Sequence, residues 1–202
     1  MSVLEIETPH GIARTHLRGG AKPTGALVLG HGAAGGVSAP DLVAATDAAR
    51  GEGFAVALVE QPYRVAGRRA PAPAHQLDAA WIAVVKQLLD DEALHAPLVV
   101  GGRSLGARVA CRTAAETGAA AVLCLAFPLQ PRRKANPPPS RLPELDAVAV
   151  PTLVVQGDRD QFGLPPPAAN REVVVVRGDH GLRADLEAVS SAVASWLRGL
   201  RR

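Results

Sequence analysis

Aromatic residues are scarce in this chain of 202: one Tyr, three Phe and two Trp make up 3% of it. Proteins that hold unpaired bases stack them on aromatic platforms, so single-strand nucleic-acid binding finds no support here. A core poor in rings must be filled by Val, Leu, Ile and Ala. That suits a parallel sheet whose strands are apolar on both faces. Cysteine is nearly absent. Cys111 and Cys124 belong to no CxxC or other metal-ligand spacing. Both lie in apolar stretches, where a free thiol acts as a small hydrophobe. No metal site or redox centre is therefore expected. Charge of one sign is also modest, with a formal net of +3. The short basic clusters Arg68-Arg69 and Arg132-Arg133-Lys134 read as solvated surface. The stretch Met1 to Glu7 is acidic and alternating, with no basic start and no apolar h-region. No apolar run approaches the ~20 residues that span a bilayer. A cytoplasmic protein with neither nucleic acid nor membrane as partner is the expectation.

What is present is a regular alternation of strand and helix signals. Hydrophobic residues make up 48% of the chain and charged residues 20%, as in an ordinary globular protein with one sizeable core. Val3 to Glu7 and Ile12 to Leu17 alternate apolar and polar residues, an antiparallel hairpin turned around Pro9-His10-Gly11. Continuous apolar runs follow at Ala26 to Leu29, Phe54 to Val59, Leu98 to Val100, Ala121 to Ala126, Thr152 to Val155 and Val173 to Val176. Helical spacing marks Asp41 to Arg50, Gln76 to Leu94, Leu105 to Thr117 and Leu182 to Leu200. The expected fold is therefore α/β: one domain over residues 1–202, a mostly parallel sheet with helices on both faces and an N-terminal antiparallel hairpin. One segment breaks the pattern. The proline-rich loop at about 127–151 carries Pro128, Pro131, Pro137, Pro138, Pro139 and Pro143, with one short helix expected near Leu142 to Val148. It follows a strand at the end of the sheet where α/β proteins bind ligands, as a rim or lid would.

The chemistry centres on Gly102-Arg103-Ser104-Leu105-Gly106, which joins the strand Leu98 to Val100 to a helix. A sharp strand-to-helix turn exposes the Ser hydroxyl at the sheet's rim, and small residues two places either side make that turn feasible. With 20 glycines in the chain, a chance GxSxG is not rare, so the motif needs partners. A serine hydroxyl requires a base, and the base an orienting acid. His180 is the only histidine after Ser104, placed after the last strand in Arg177-Gly178-Asp179-His180-Gly181. The strand before it leads into Gly157-Asp158-Arg159-Asp160, where spacing alone leaves Asp158 and Asp160 both open as the acid. Donors for an oxyanion are expected from the backbone N–H groups of Ala33, in Gly30-His31-Gly32-Ala33-Ala34-Gly35-Gly36, and of Leu105. That loop fits neither a phosphate-loop nor a dinucleotide spacing. His31 reads as a brace for the loop and as a candidate substrate contact. Arg103 and Arg64 are further candidates, able to pair with an anionic substrate group.

In sum, His31-Gly32, the Ser104 elbow, Gly157-Asp158-Arg159-Asp160 and Asp179-His180 resemble the α/β-hydrolase superfamily over nearly the whole chain. More narrowly, Gly101 to Arg108, Leu125 to Leu129 and Gln156 to Gly163 resemble a short, bacterial dienelactone-hydrolase-like subfamily that includes a testis-expressed vertebrate relative. The resemblance implies Asp160, the second Asp of its stretch, as the triad acid. Two departures matter: the elbow holds Ser where dienelactone-opening enzymes use Cys, and no insertion is long enough for a separate cap domain. A shallow, open site follows. The expected function is a serine hydrolase that cleaves a small carboxylic ester or thioester through Ser104, His180 and Asp160, without cofactor or metal. The alternative is a non-catalytic interaction protein that retains the fold. Oligomeric state has no signature in the sequence.

Overall fold

Strands buried on both faces carry apolar side chains at every position, and their alternation decides which helix layer each residue meets. In β3 (Gly25–Gly30) every residue is buried. Ala26 and Val28 point into one hydrophobic cluster, Leu27 and Leu29 into the other. The computed structural model describes residues 2–19, 23–91, 93–94, 97–131 and 138–200. Among these residues the strands form one 8-stranded sheet in the order β1-β2-β4-β3-β5-β6-β7-β8. The hairpin β1 (Ser2–Thr8) and β2 (Gly11–Arg18) is antiparallel, and β2 runs antiparallel to β4 (Phe54–Glu60). From β4 through β3, β5 (Leu98–Arg103), β6 (Ala121–Leu125), β7 (Thr152–Gly157) and β8 (Arg171–Val176), every pairing is parallel. All loops leaving these parallel strands therefore gather at one rim, and the candidate residues lie there.

Two helix layers cover the sheet. On one face, α1 (Pro40–Gly51) buries Leu42, Ala45 and Ala49 against Leu27, Leu29 and Leu58, beside Val189, Val193 and Leu197 of α6 (Leu186–Gly199). On the other, α3 (Ala74–Asp90) buries Leu77, Trp81, Val84, Val85 and Leu88, beside Val109 and Ala110 of α4 (Leu105–Thr113). Cys111 and Cys124 are buried there as free thiols with their sulfurs 3.5 Å apart. Their mutual hydrogen bond and their burial push the Cys124 thiol up.

Several boundaries differ from the sequence reading. α4 stops at Thr113, where the periodicity reached Thr117. The chain tightens instead, with Thr117 Oγ1 donating to the carbonyls of Thr113 and Ala114. α6 begins at Leu186 rather than Leu182, because Leu182 has φ +50° and Asp185 caps the helix by accepting from Ala188 N–H. A four-residue helix, α2 (Pro62–Val65), is too short to leave a periodic signal in the sequence. In the proline-rich segment, α5 (Leu142–Asp146) lies where a short helix was expected. Its Glu144 accepts from Arg108 and Arg112 of α4, and Arg112 also grips Asp78 of α3 through two bonds of 2.8 and 2.6 Å. The basic run Arg132-Arg133-Lys134 and Pro137 lie outside the described residues.

Candidate active site

β5 ends at Arg103 and α4 begins at Leu105, so Ser104 makes the turn between them. Its φ of 52° and ψ of −105° are strained for any residue with a side chain. Its N–H donates to the Leu125 carbonyl of β6 at 2.9 Å. Glycine makes this turn possible through space rather than dihedral freedom. A Cβ on Gly102 would lie 2.5 Å from the Gly30 carbonyl oxygen, and a Cβ on Gly106 would collide with the same atom. The backbones of β3, β5 and α4 thus meet at three glycines directly beneath the serine.

His180, on the loop after β8, reaches back across the rim. Its Nε2 lies 2.9 Å from Ser104 Oγ and its Nδ1 2.8 Å from Asp160 Oδ2. A carboxylate oxygen only accepts, so Nδ1 carries the proton and Nε2 is left to accept from the serine hydroxyl. Phe162 packs edge-on against the imidazole, centroids 4.5 Å apart. The two aspartates left open by spacing differ sharply in setting. The Asp160 side chain is 1% exposed, whereas that of Asp158 is 49% exposed. Asp158 accepts from Gly178 N–H at 2.8 Å, a bond that lowers its carboxyl pKa. Asp179 accepts from Gly181 N–H and serves its own turn.

Asp160 is itself held by groups that the sequence reading did not assign. Its Oδ1 accepts from Phe162 N–H at 2.8 Å, and its Oδ2 accepts from Gln156 Nε2 at 2.8 Å. Gln156 is fully buried in β7, with the Phe127 and Gly163 carbonyls also facing its Nε2 at 3.0 and 2.9 Å. Turning the amide over would set its oxygen against three acceptors, which fixes its orientation. The available signal was a polar residue at the end of an otherwise apolar run, four before Asp160.

Arg103 does not stand free for a substrate anion. Its Nε lies 2.8 Å from Oδ2 of the fully buried Asp41 in α1, and its Nη2 donates to the His180 carbonyl at 2.9 Å. Burial raises the Asp41 pKa, and the Arg103 charge opposes that shift. The residue before the serine therefore ties the histidine loop to α1, on the face of the sheet opposite α4.

His31 is likewise committed. Its Nδ1 donates to the Gly32 carbonyl at 2.8 Å and its Nε2 accepts from Gln61 N–H at 3.2 Å. Both nitrogens are used inside the protein, so the ring braces the loop and offers nothing to a substrate. Burial lowers its pKa below the ordinary 6.5, outweighing the bond to Gly32. As pH falls, the unfolded chain takes up this proton before the folded one does, so stability is full above 6.5 and declines below it. Thermal melts between about pH 7.5 and about pH 5 should show a smaller loss of Tm in His31→Gln than in the wild type. Equal losses would refute this role.

The loop that His31 braces lies beside the serine: a Cβ on Gly32 would sit 3.6 Å from Ser104 Cβ. Tyr63 OH donates to the Ala33 carbonyl at 3.1 Å, and burial pushes this phenol up to about 12. The N–H groups of Ala33 and Leu105 are donated to no other described residue. Arg64, on α2, lies close enough to His31 and Tyr63 to lower the pKa of both, but no contact joins it to Ser104 or His180 among the described residues.

A family model described as an alpha/beta hydrolase domain matches residues 23–187. Est1E from Butyrivibrio proteoclasticus aligns with a TM-score of 0.80 at 15% identity, covering 100% of this chain and 99% of that one. Dienelactone hydrolase from Anabaena variabilis gives 0.77 at 16% identity, over 98% and 96% of the two chains. A serine hydrolase without lid from Xanthomonas campestris gives 0.75 at 18%, over 98% and 94%. At these identities the likeness is one of fold. No match is found among curated proteins. No helix among the described residues is long and apolar enough to cross a membrane. With the family model spanning most of its length, the chain belongs to the alpha/beta hydrolase family and is an enzyme of that type.

Proposed function

We propose that the chain is a serine hydrolase that cleaves a small carboxylic ester or thioester through an acyl-enzyme. The observation that carries this reading is the hydrogen-bonded line Asp160–His180–Ser104, with links of 2.8 and 2.9 Å. Ser104 Oγ attacks the acyl carbon as its proton passes to His180 Nε2. Asp160 holds the imidazole in the required tautomer and opposes the positive charge that develops on it. The N–H groups of Ala33 and Leu105 receive the oxyanion. Collapse of the tetrahedral species breaks the bond to the alcohol or thiol, which leaves with the proton from His180. Water, deprotonated by the same imidazole, then releases the acid and restores Ser104.

The test is active-site labelling by a fluorophosphonate together with turnover of p-nitrophenyl acetate. Wild-type protein should label at one serine, and Ser104→Ala should lose both label and turnover. Folded wild-type protein that neither labels nor turns over short esters above background would overturn the serine-esterase reading.

A further inference from the structure

We propose that a depression beside His180 binds an anionic group, a carboxylate or phosphate, carried on the departing alcohol or thiol of the substrate. The inference rests on the hydrolase reading above. The depression, about 400 Å³, is lined by Arg103, Arg159, Gln161, Asp179, His180, Gly181 and Arg183, so three arginines and one aspartate share it with the histidine.

These charges are not equivalent. Arg103 is balanced by Asp41, and Asp179 has one oxygen turned back to Gly181 N–H. Among the described residues Arg159 meets a carboxylate only at 3.6 Å, in Asp158, whose Oδ1 is already bonded to Gly178 N–H. Arg183 makes no ion pair among the described residues. Arg159, loosely paired, and Arg183, on the loops after β7 and β8, line the same depression as the histidine. A guanidinium fork suits the planar carboxylate or the phosphate oxygens equally.

Position selects the part of the substrate. The depression touches His180, which protonates the departing atom, and neither Ala33 nor Leu105, which would receive the carbonyl oxygen. An anion held there belongs to the leaving side, and the product released would be a hydroxy or thiol compound bearing a negative charge.

Matched acetyl esters test this: 4-acetoxybenzoate and 4-acetoxyphenyl phosphate against the neutral 4-acetoxybenzamide. The wild type should show a kcat/KM at least about fivefold higher for one or both anions than for the amide. The carboxylate and phosphate arms tell which anion is preferred. In the Arg159→Gln/Arg183→Gln double variant the ratio should fall towards one. The wild-type ratio should also shrink at about 1 M salt, where screening acts within about 3 Å. Equal rates on all three esters, or a preference that survives the double variant, would overturn the subsite while leaving the hydrolase intact. Absence of both turnover and fluorophosphonate labelling would instead remove the hydrolase reading, and the subsite with it.

Discussion

Asparagine at position 160 should lower kcat on p-nitrophenyl acetate by about 10³- to 10⁴-fold, whereas Asp158→Asn should stay within about tenfold of wild type. Every partner of the Asp160 carboxylate among the described residues is a donor: Phe162 N–H at one oxygen, Gln156 Nε2 and His180 Nδ1 at the other. An asparagine must present its own NH2 to one of these sides. Turned towards His180, it forces the ring into the wrong tautomer. Turned towards Phe162, it loses that bond and still lacks the charge that opposes the developing imidazolium. Asp158 is exposed and bonded to a backbone N–H, so its loss touches the loop rather than the base. Steady-state kinetics on both variants decides the matter, and a greater loss in Asp158→Asn than in Asp160→Asn would sink the acid assignment.

Gly106→Ala should destabilise the fold by more than about 4 kcal/mol, enough to leave little soluble protein. The added Cβ meets the carbonyl oxygen, carbon and Cα of Gly30. These are backbone atoms in a central strand, so relief requires moving α4 away from β3 rather than turning a side chain. Gly51→Ala is the control: a Cβ there meets no described atom within 4 Å, and stability should hold or rise by up to about 1 kcal/mol. Denaturant unfolding of both variants, read by circular dichroism, makes the comparison. A Gly106→Ala protein with a wild-type midpoint would show that the elbow tolerates a side chain there.

The central strands were legible because burial on both faces leaves continuous apolar runs, and the hairpin because only alternate residues face the core. Helix ends were less so. Leu182 is fully buried and extends the apolar stripe of α6 in sequence, yet its φ of +50° places it in the preceding turn. The order of Ser104, the acid and His180 along the chain was legible because each follows its own strand. The different settings of Asp158 and Asp160 were not legible from spacing, since they arise from burial and from the bonds to Gln156 and Phe162. The commitment of Arg103 to Asp41 was equally hidden. It joins the end of β5 to α1, some sixty residues earlier in the chain, and no local pattern encodes that meeting.

The backbone at Ser104 has a consequence for how this protein can evolve. A residue with a side chain at φ 52° and ψ −105° costs roughly 1–3 kcal/mol against a relaxed conformation, and glycine would recover part of that. Selection for stability alone thus pulls position 104 towards glycine, while selection for the proposed nucleophile pulls it back. The two pressures meet in one dihedral pair, so a more robust scaffold can be reached at this position only by giving up the hydroxyl.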